Sequence, residues 1–180
     1  SHPLPWLNTK AVFFQTFLED AIETLRRSDG LSQPVNLTSE RRTGFETEVA
    51  LGPWKGISPS YGVTSVRAEE PGHGPVAARP RLTQDIKVNY KVQAKGTTLN
   101  THLAGRFTDL TTGYGATDPA DQTFIFDGKV SVTLPRVRGV RLVLFLLGKN
   151  LLNQDYSVDP GNLPNPQRNF EAGFKVRLFS

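Results

Sequence analysis

The chain has 180 residues, a net charge of +4, a mean hydropathy of −0.34 and no cysteine. This length suits one domain, the missing cysteine excludes disulfide and thiolate chemistry, and scattered rather than clustered Lys and Arg residues argue against nucleic-acid binding. The longest apolar run, Leu142–Leu147, is far too short for a membrane-spanning helix. The protein is therefore either soluble or crosses a membrane as β-strands.

Turn-rich stretches divide the chain into eight segments of strand length. The first is ambiguous, because residues 13–25 place apolar side chains at helical spacing, and Arg26-Arg27 and Gly30 follow as stop signals. Periodicity alone predicts an amphipathic helix there.

The following segments alternate apolar and polar residues with a period of two, which is the pattern of a β-strand with two different faces. The clearest examples in chain order are Phe45–Leu51, Ile86–Val92, Leu99–Phe107 and Phe124–Leu134. A soluble, lipocalin-like ligand-binding barrel would need apolar inward faces. In this sequence charged residues lie opposite each apolar face. A soluble barrel that kept its charges inside would therefore expose its apolar faces to water.

The last two segments differ from each other. Leu142–Leu147 is apolar on both faces, so it must contact apolar partners on both sides. The final strand sets Phe170, Phe174 and Leu178 on one face against glycine and charged residues on the other. A chain ending on such a strand is typical of outer-membrane barrels.

The connections alternate in length. Gly52–Gly56, Ala94–Thr97 and Pro135–Gly139 are short, whereas the connections near residues 23–37, 69–80, 108–122 and 153–168 are long. Short turns at one end and long loops at the other are the layout of bacterial transmembrane barrels.

The closing hairpin resembles that of TonB-dependent receptors. The positions that carry the resemblance are Asn150, Leu151, Tyr156, Pro164, Pro166 and Arg168. Two earlier segments are similar to receptor strands: a basic stretch and Gly44 precede Phe45-Glu46-Thr47-Glu48, and Pro80-Arg81 opens a strand. Phe13-Phe14 followed by Glu19-Asp20 also matches a receptor strand. We therefore expect a strand over Thr9–Asp20 and allow for helical structure in the loop after it.

The resemblance implies an antiparallel transmembrane β-barrel of outer-membrane type in the bacterial outer membrane, with eight strands in this chain. Receptors of this family have about 22 strands and a plug in the lumen. Residues 1–180 have room for a single barrel domain or barrel segment without a plug domain. Because unpaired strand edges are costly in lipid, the eight strands must close on themselves or pair with another chain.

Ten charged residues are predicted to face a barrel lumen and to pair into a network, since an unpaired buried charge is costly. An eight-stranded barrel would bury them, whereas a wide receptor barrel would turn them toward a plug. They are Glu46, Glu48, Lys87, Lys91, Arg106, Asp127, Lys129, Glu171, Lys175 and Arg177. Trp54, Tyr61, Tyr90 and Tyr156 are predicted to form aromatic girdles at the membrane interfaces.

Enzymatic chemistry has little support. His2, His73 and His102 lack a second ligand at metal spacing, so no metal site and no cofactor is predicted. His73 is a loop residue that Asp109, Asp118 or Asp121 could reach, but a flexible Gly-Pro loop explains it better. His102 is predicted to form a hydrogen bond on the polar face.

These observations predict a non-enzymatic membrane barrel that acts as a small closed structural or partner-binding protein. The first alternative is a segment or subunit of a larger TonB-dependent uptake receptor for iron chelates or similar ligands. The second is the soluble lipocalin-like barrel. The expected partners are outer-membrane lipid and another envelope protein or complementary barrel chain, with no nucleic acid.

Overall fold

The computed structural model describes residues 4–26, 31–70, 74–75, 80–110, 122–154 and 167–179, all without α-helix. In this part of the chain no helix is long and apolar enough to cross a membrane. The strands are β1 (Leu7–Arg26), β2 (Ser32–Leu51), β3 (Ile57–Glu70), β4 (Gly74–Pro75), β5 (Pro80–Ala94), β6 (Thr97–Leu110), β7 (Gln122–Thr133), β8 (Val140–Lys149) and β9 (Asn169–Leu178).

Eight long strands form a single antiparallel meander in the order β1-β2-β3-β5-β6-β7-β8-β9, and the two-residue β4 pairs with the end of β3. Neighbours in the sheet are thus neighbours in sequence, so hairpins alone connect the strands. The predicted all-β, antiparallel architecture with eight principal strands is confirmed.

Three hairpins turn through a basic residue followed by glycine, both at positive φ. The pairs are Lys55-Gly56 (47° and 86°), Lys95-Gly96 (49° and 78°) and Arg138-Gly139 (48° and 79°). Such two-residue turns match the right-handed twist of antiparallel strands, and glycine supplies the second positive φ without steric cost. The predicted short turns therefore lie together at one end of the sheet, named here the short-turn end.

The first strand is longer than predicted. β1 continues to Arg26 instead of ending near Asp20, and β2 begins at Ser32, so the connection expected near residues 23–37 spans only residues 27–31. The amphipathic helix that periodicity predicts for residues 13–25 is therefore wrong, and so is the allowance for helical structure directly after Asp20. Pairing along nearly all of β1, from Leu7 opposite Leu51 to Arg26 opposite Ser32, overrides the local pattern.

The sheet has one apolar face and one polar face, as the alternation predicts. One row across the apolar face joins Val92, Leu99, Val132, Leu144 and Phe174 on five consecutive strands. These side chains have no second layer to pack on: Phe174 is 70% exposed. We name the two sides the apolar face and the polar face.

A hydrophobic core is nearly absent. Ala68 is the one buried hydrophobic residue among the side chains whose burial the structure describes, whereas Phe13 is 74% exposed and Leu178 is 79% exposed. A water-soluble domain of this size would bury most of its large apolar side chains. The contiguous exposed apolar face therefore requires a covering partner.

Glycine and aromatic residues pack against each other across neighbouring strands. Gly173 lies opposite Phe145, and a Cβ added at Gly173 would lie 2.6 Å from Phe145 Cζ. A Cβ at Gly44 would similarly lie 2.7 Å from Phe14 Cζ. The ring of Phe145 thus covers glycine backbone on the polar face, which supplies part of the apolar contact that Leu142–Leu147 was expected to need.

The sheet is open in the described residues. β1 pairs with β2 and β9 pairs with β8, but β1 and β9 do not pair with each other. The predicted closure into an eight-stranded barrel is therefore not seen in this structure. Each outer strand presents a free edge of backbone hydrogen-bonding groups.

Substituting Gly173 by alanine should destabilise the sheet, because the new methyl group would collide with the Phe145 ring. We expect a loss of about 1–3 kcal/mol in unfolding free energy, measured by urea titration in detergent micelles. Gly62→Ala is the matched control, since the nearest heavy atom to its added Cβ would be Thr47 O at 3.6 Å. Equal losses in the two variants would contradict the predicted collision.

Candidate functional site: the polar face and the Asn150 turn

The ten charged residues predicted to face a lumen all occupy alternate positions that place them on the polar face. They are Glu46, Glu48, Lys87, Lys91, Arg106, Asp127, Lys129, Glu171, Lys175 and Arg177. Their assignment to a lumen network stays a prediction.

One row of the polar face crosses five strands, with a cation at each end and a carboxylate on either side of a central glycine. It runs from Lys10 through Glu48, Gly62 and Asp85 to Arg106. Arg106 Nε donates to Asp85 Oδ1 at 2.8 Å, and Lys10 Nζ lies 3.8 Å from an oxygen of Glu46 in the next row. Both pairs are partly exposed, so each contributes at most about 1 kcal/mol.

The ten residues do not pair with one another in the described structure. Lys149 Nζ donates to Glu171 Oε1 at 2.9 Å, and the ammonium of Lys129 lies 5.5 Å from the centre of the Phe145 ring. No ion pair with a described residue is formed by Glu48, Lys87, Lys91, Lys175 or Arg177. Partners from outside the predicted set therefore neutralise only some of these charges.

A shallow depression of about 110 Å³ lies over Gly62, where the missing side chain leaves a gap in the row. Its polar lining includes Lys10, Glu46, Glu48, Asp85 and Lys87. In the described residues no group of three or more His, Asp or Glu side chains could hold a metal ion.

At the opposite end from the short turns, buried carboxylates are bound by arginine. Glu40 is 1% exposed and accepts two hydrogen bonds from Arg42. Arg42 Nε donates to Glu40 Oε1 at 2.6 Å, and Arg42 Nη2 donates to Glu40 Oε2 at 3.1 Å. Arg81 pairs with buried Asp109, and this hydrogen bond and the carboxylate charge raise the pKa of Arg81. The Glu40–Arg42 pair lies within β2, whereas the Arg81–Asp109 pair joins β5 to β6 near their ends away from the short turns.

The chain after β8 forms a compact turn around Asn150, which is 2% exposed and has a φ of 49°. Its backbone N–H donates to Asp127 Oδ1 at 2.8 Å. Its side-chain amide donates to the carbonyl of Gln154 at 2.8 Å and accepts from the Gln154 N–H at 2.9 Å. Gln154 Oε1 in turn accepts from the Phe124 N–H at 3.0 Å. The Asn150 turn is therefore fastened to β7 at two points.

Leu151 completes this attachment. Its backbone N–H donates to the carbonyl of Phe126 at 2.8 Å, and its side chain covers Gly128 and Gly148, which lie opposite each other on β7 and β8. Glycine is needed at Gly148 because an added Cβ would lie 2.6 Å from Leu151 Cδ2.

The remaining positions that carry the resemblance have other structural surroundings. Gly44 is buried beneath Phe14, and the Arg168 N–H donates to Asn153 Oδ1 at 3.0 Å. Tyr156, Pro164 and Pro166 lie outside the described residues. Gly44, Asn150, Leu151 and Arg168 thus have structural roles, and Arg168 acts there through its backbone.

The histidines offer no catalytic arrangement in the described chain. His102 Nδ1 lies 2.7 Å from Asn89 Oδ1 on the polar face, the kind of hydrogen bond predicted for it. Asp109 pairs with Arg81, whereas His2, His73, Asp118 and Asp121 lie outside the described residues.

Among the predicted girdle aromatics, Trp54 lies in a short turn, and Tyr61 donates to Gln84 Oε1 at 2.7 Å. Tyr90 lies opposite Ile57 near the short-turn end.

Sequence reasoning missed the partners of the charged residues. Lys10, Asp85 and Lys149 all supply ion pairs to the predicted set. Asp85 and Lys149 could have been found by extending the alternation along their strands. Lys10 was hidden because the helical spacing of the first segment obscured its face.

Replacing Asn150 by alanine should cost about 2–3 kcal/mol of unfolding free energy, because both side-chain hydrogen bonds to Gln154 are lost and alanine disfavours positive φ. Asn150→Gly should cost less, since glycine tolerates this φ. Lys95→Ala is the control, because Lys95 has the same φ of 49° in an exposed turn. Urea titration in micelles measures all three, and a loss in Asn150→Ala no larger than in Lys95→Ala would contradict the role of these bonds.

Sequence comparison gives no match to any protein-family model or to any curated protein. Comparison with solved structures does give similar chains. The FrpB iron transporter from Neisseria meningitidis and the copper transporter OprC each have a TM-score of 0.61 at 15% identity, over 97% of this chain and 29% of theirs. The ferric-catecholate import receptor Fiu from E. coli K12 has a TM-score of 0.53 at 18% identity, over 95% and 25% respectively.

Identities this low establish the fold alone, and the chain spans only 25–29% of the length of these proteins. The agreement nevertheless extends over nearly all the strands described above. The resemblance predicted from the closing hairpin is confirmed: this chain has the architecture of TonB-dependent receptor barrel strands.

Proposed function

We propose that this chain is a segment of a bacterial outer-membrane uptake barrel of the TonB-dependent receptor type. Its apolar face contacts lipid and its polar face lines a wide lumen. The observation that carries the proposal is the open eight-stranded sheet, which follows receptor barrels over 95–97% of the chain. This reverses the order of the sequence-based hypotheses, in which a small closed barrel came first.

The exposed apolar face supports a lipid environment. Phe13, Phe17 and Phe174 are each about seven-tenths exposed, at 74%, 68% and 70%. Burying apolar surface is favourable by about 25 cal/mol per Å², so an uncovered face of this kind is unstable in water. The sheet offers no opposite apolar face that could enclose a ligand, which argues against a soluble lipocalin-like barrel.

The open edges support a larger barrel. In lipid, every unpaired backbone group costs several kcal/mol, so the edges of β1 and β9 need strands to pair with. Further strands of a receptor barrel meet this need without bending the eight strands into a narrow cylinder. The pairing then continues from β1 on one side and from β9 on the other.

The polar face supports a wide lumen. Lys87, Lys91 and Lys175 have no ion pair with a described residue. A closed eight-stranded barrel would bury these ammonium groups without partners, at a cost of several kcal/mol each. In a wide barrel, water or a plug contacts them instead.

The names of the similar structures support a proposal for the transported ligand. Two of the similar structures are named as an iron transporter and a ferric-catecholate receptor, and a third as a copper transporter. We extend the proposal to uptake of an iron chelate or similar scarce ligand by the barrel of which this chain is a segment. The described residues then supply lumen wall and lipid-facing surface.

Disulfide trapping distinguishes a segment from a closed eight-stranded barrel, and the chain has no natural cysteine to interfere. We pair Ala11→Cys on β1 with cysteine at Ala172, Phe174 or Val176 on β9. Directly opposed residues on paired strands lie about 4.5–5.5 Å apart, within disulfide range. We expect no intramolecular disulfide in detergent micelles after oxidation, judged by gel mobility and peptide mass.

The positive control is Ala11→Cys with Thr47→Cys, which lie directly opposite each other on β1 and β2. It should form a disulfide in high yield. An intramolecular disulfide between β1 and β9 would sink the segment proposal and favour closure at eight strands. A disulfide between two copies would favour a barrel assembled from copies of this chain.

Substituting Lys129 by leucine tests the width of the lumen through stability. In a wide or open barrel Lys129 stays hydrated, so we expect a change below about 1 kcal/mol in unfolding free energy. In a closed barrel the ammonium would need a buried partner, and its removal would cost several kcal/mol. Chemical unfolding in micelles measures the difference, and a loss of that larger size would contradict the wide lumen.

A further inference from the structure

The short-turn end carries only positive charge in the described chain. Residues 4–8, 50–57, 93–98, 134–141 and 177–179 contain no Asp or Glu. They contain six cations, which we name the basic rim: Lys55, Lys95, Arg136, Arg138, Arg141 and Arg177. None of the six forms an ion pair with a described carboxylate, whereas Arg42 and Arg81 at the other end both bind acidic partners.

Three of these cations occupy positions that suit them poorly as turn residues. Lys55, Lys95 and Arg138 stand at φ values of 47°, 49° and 48° at the tips of their hairpins. Asparagine, aspartate and glycine are favoured there, and other residues are strained by about 1–2 kcal/mol. Turn stability alone therefore does not explain why all three tips are basic.

Two arginines of the basic rim oppose each other directly. Arg141 on β8 lies opposite Arg177 on β9. Both lie on the polar face, and like charges at directly opposed positions are destabilising. The Phe179 ring lies 5.4 Å from the guanidinium of Arg141 and 4.9 Å from that of Arg136. The Phe179 ring is uncharged, so it contacts both guanidinium groups at the edge of the sheet but supplies no negative charge to neutralise them.

Apolar side chains stand beside these cations. Trp6 and Trp54 pair at 6.2 Å between ring centroids and are 43% and 50% exposed. Lys55 follows Trp54 in the turn, and Val137, 65% exposed, stands between two arginines. Exposed aromatic or aliphatic groups next to lysine and arginine are typical of a membrane–water interface, where rings meet the headgroups and cations reach toward them.

We propose that the turn cations of the basic rim, Lys55, Lys95, Arg136 and Arg138, bind the phosphate headgroups of anionic phospholipids in the leaflet at the short-turn end. This inference rests on the proposed function, since it requires the apolar face to lie in a bilayer. Charge complementarity carries it: these four turn cations have no described acidic partners, and they stand at the end of the sheet where anionic lipids supply negative charge.

Tryptophan quenching tests the proposal directly, because Trp6 and Trp54 are the only tryptophans in the chain and both lie at this end. The full chain is inserted into phosphatidylcholine vesicles that contain one-fifth phosphatidylglycerol, with either lipid brominated. Quenching gives the association constant of phosphatidylglycerol with the protein surface near the tryptophans relative to that of phosphatidylcholine. We expect this ratio to be roughly three or more at low salt. The preference should approach unity in 0.5 M NaCl, where the Debye length falls to a few Å.

The variant Lys55→Gln/Lys95→Gln should bring the preference close to unity. Arg67→Gln/Arg168→Gln removes the same charge far from the basic rim and should leave the preference unchanged. For the arginines, Trp6→Phe/Trp54→Phe/Val137→Trp moves the reporter to the hairpin between β7 and β8. In that background Arg136→Gln/Arg138→Gln should abolish the preference.

Equal quenching by both brominated lipids, with blue-shifted emission that shows insertion, would overturn the basic rim as a lipid site and leave the proposed function standing. A preference that survives both glutamine variants would also overturn it. Failure to insert into either kind of vesicle would overturn the proposed function and this inference together. The salt dependence of the unaltered chain decides the matter if a variant does not fold.

Discussion

The structure depends on one constraint: a single-layer sheet satisfies its backbone hydrogen bonds through its neighbours but has nothing to cover its apolar face. The ladder joins β1 to β9 through seven antiparallel pairings. It leaves Phe13 and Leu178 exposed on one side and free edges at both ends. In the proposed function, a bilayer covers the apolar face and further strands of a barrel pair with the edges. Both requirements lead to the same proposal, since a sheet in lipid cannot have open edges.

Within that sheet, two local devices add contacts to the backbone ladder. Glycines opposite rings, such as Gly173 beneath Phe145, let aromatic side chains lie flat on the backbone. The Asn150 turn fastens the chain after β8 to β7 through Asp127 and Gln154. β7 and β8 pair over only six residues, so the turn adds connections where the ladder ends. This gives a physical reason for an Asn-Leu pair at that place in the closing hairpin.

The two ends of the sheet have opposite electrostatic designs. At the end opposite the short turns, Glu40 and Asp109 are buried and each is hydrogen-bonded by an arginine. The carboxylate charges are therefore satisfied within the chain. At the short-turn end, Lys55 and Arg138 stand at the hairpin tips without described acidic partners. A barrel that crosses a bilayer meets different surroundings at its two ends, and this asymmetry follows if the basic rim uses lipid phosphate as its counterion.

The sequence by itself determined the two faces of each clear strand and the position of the short turns, because both depend on residues close together in the chain. The alternation from Phe170 to Leu178 and the Lys-Gly and Arg-Gly pairs are local patterns of this kind. Only the tertiary structure decided that residues 13–25 are a strand, that Lys10 and Asp85 supply ion pairs, and that β1 and β9 stay apart. Those features depend on which strands pair and in what register. Pairing joins residues distant in sequence, and local alternation fixes which face a residue occupies but not which residue lies opposite it.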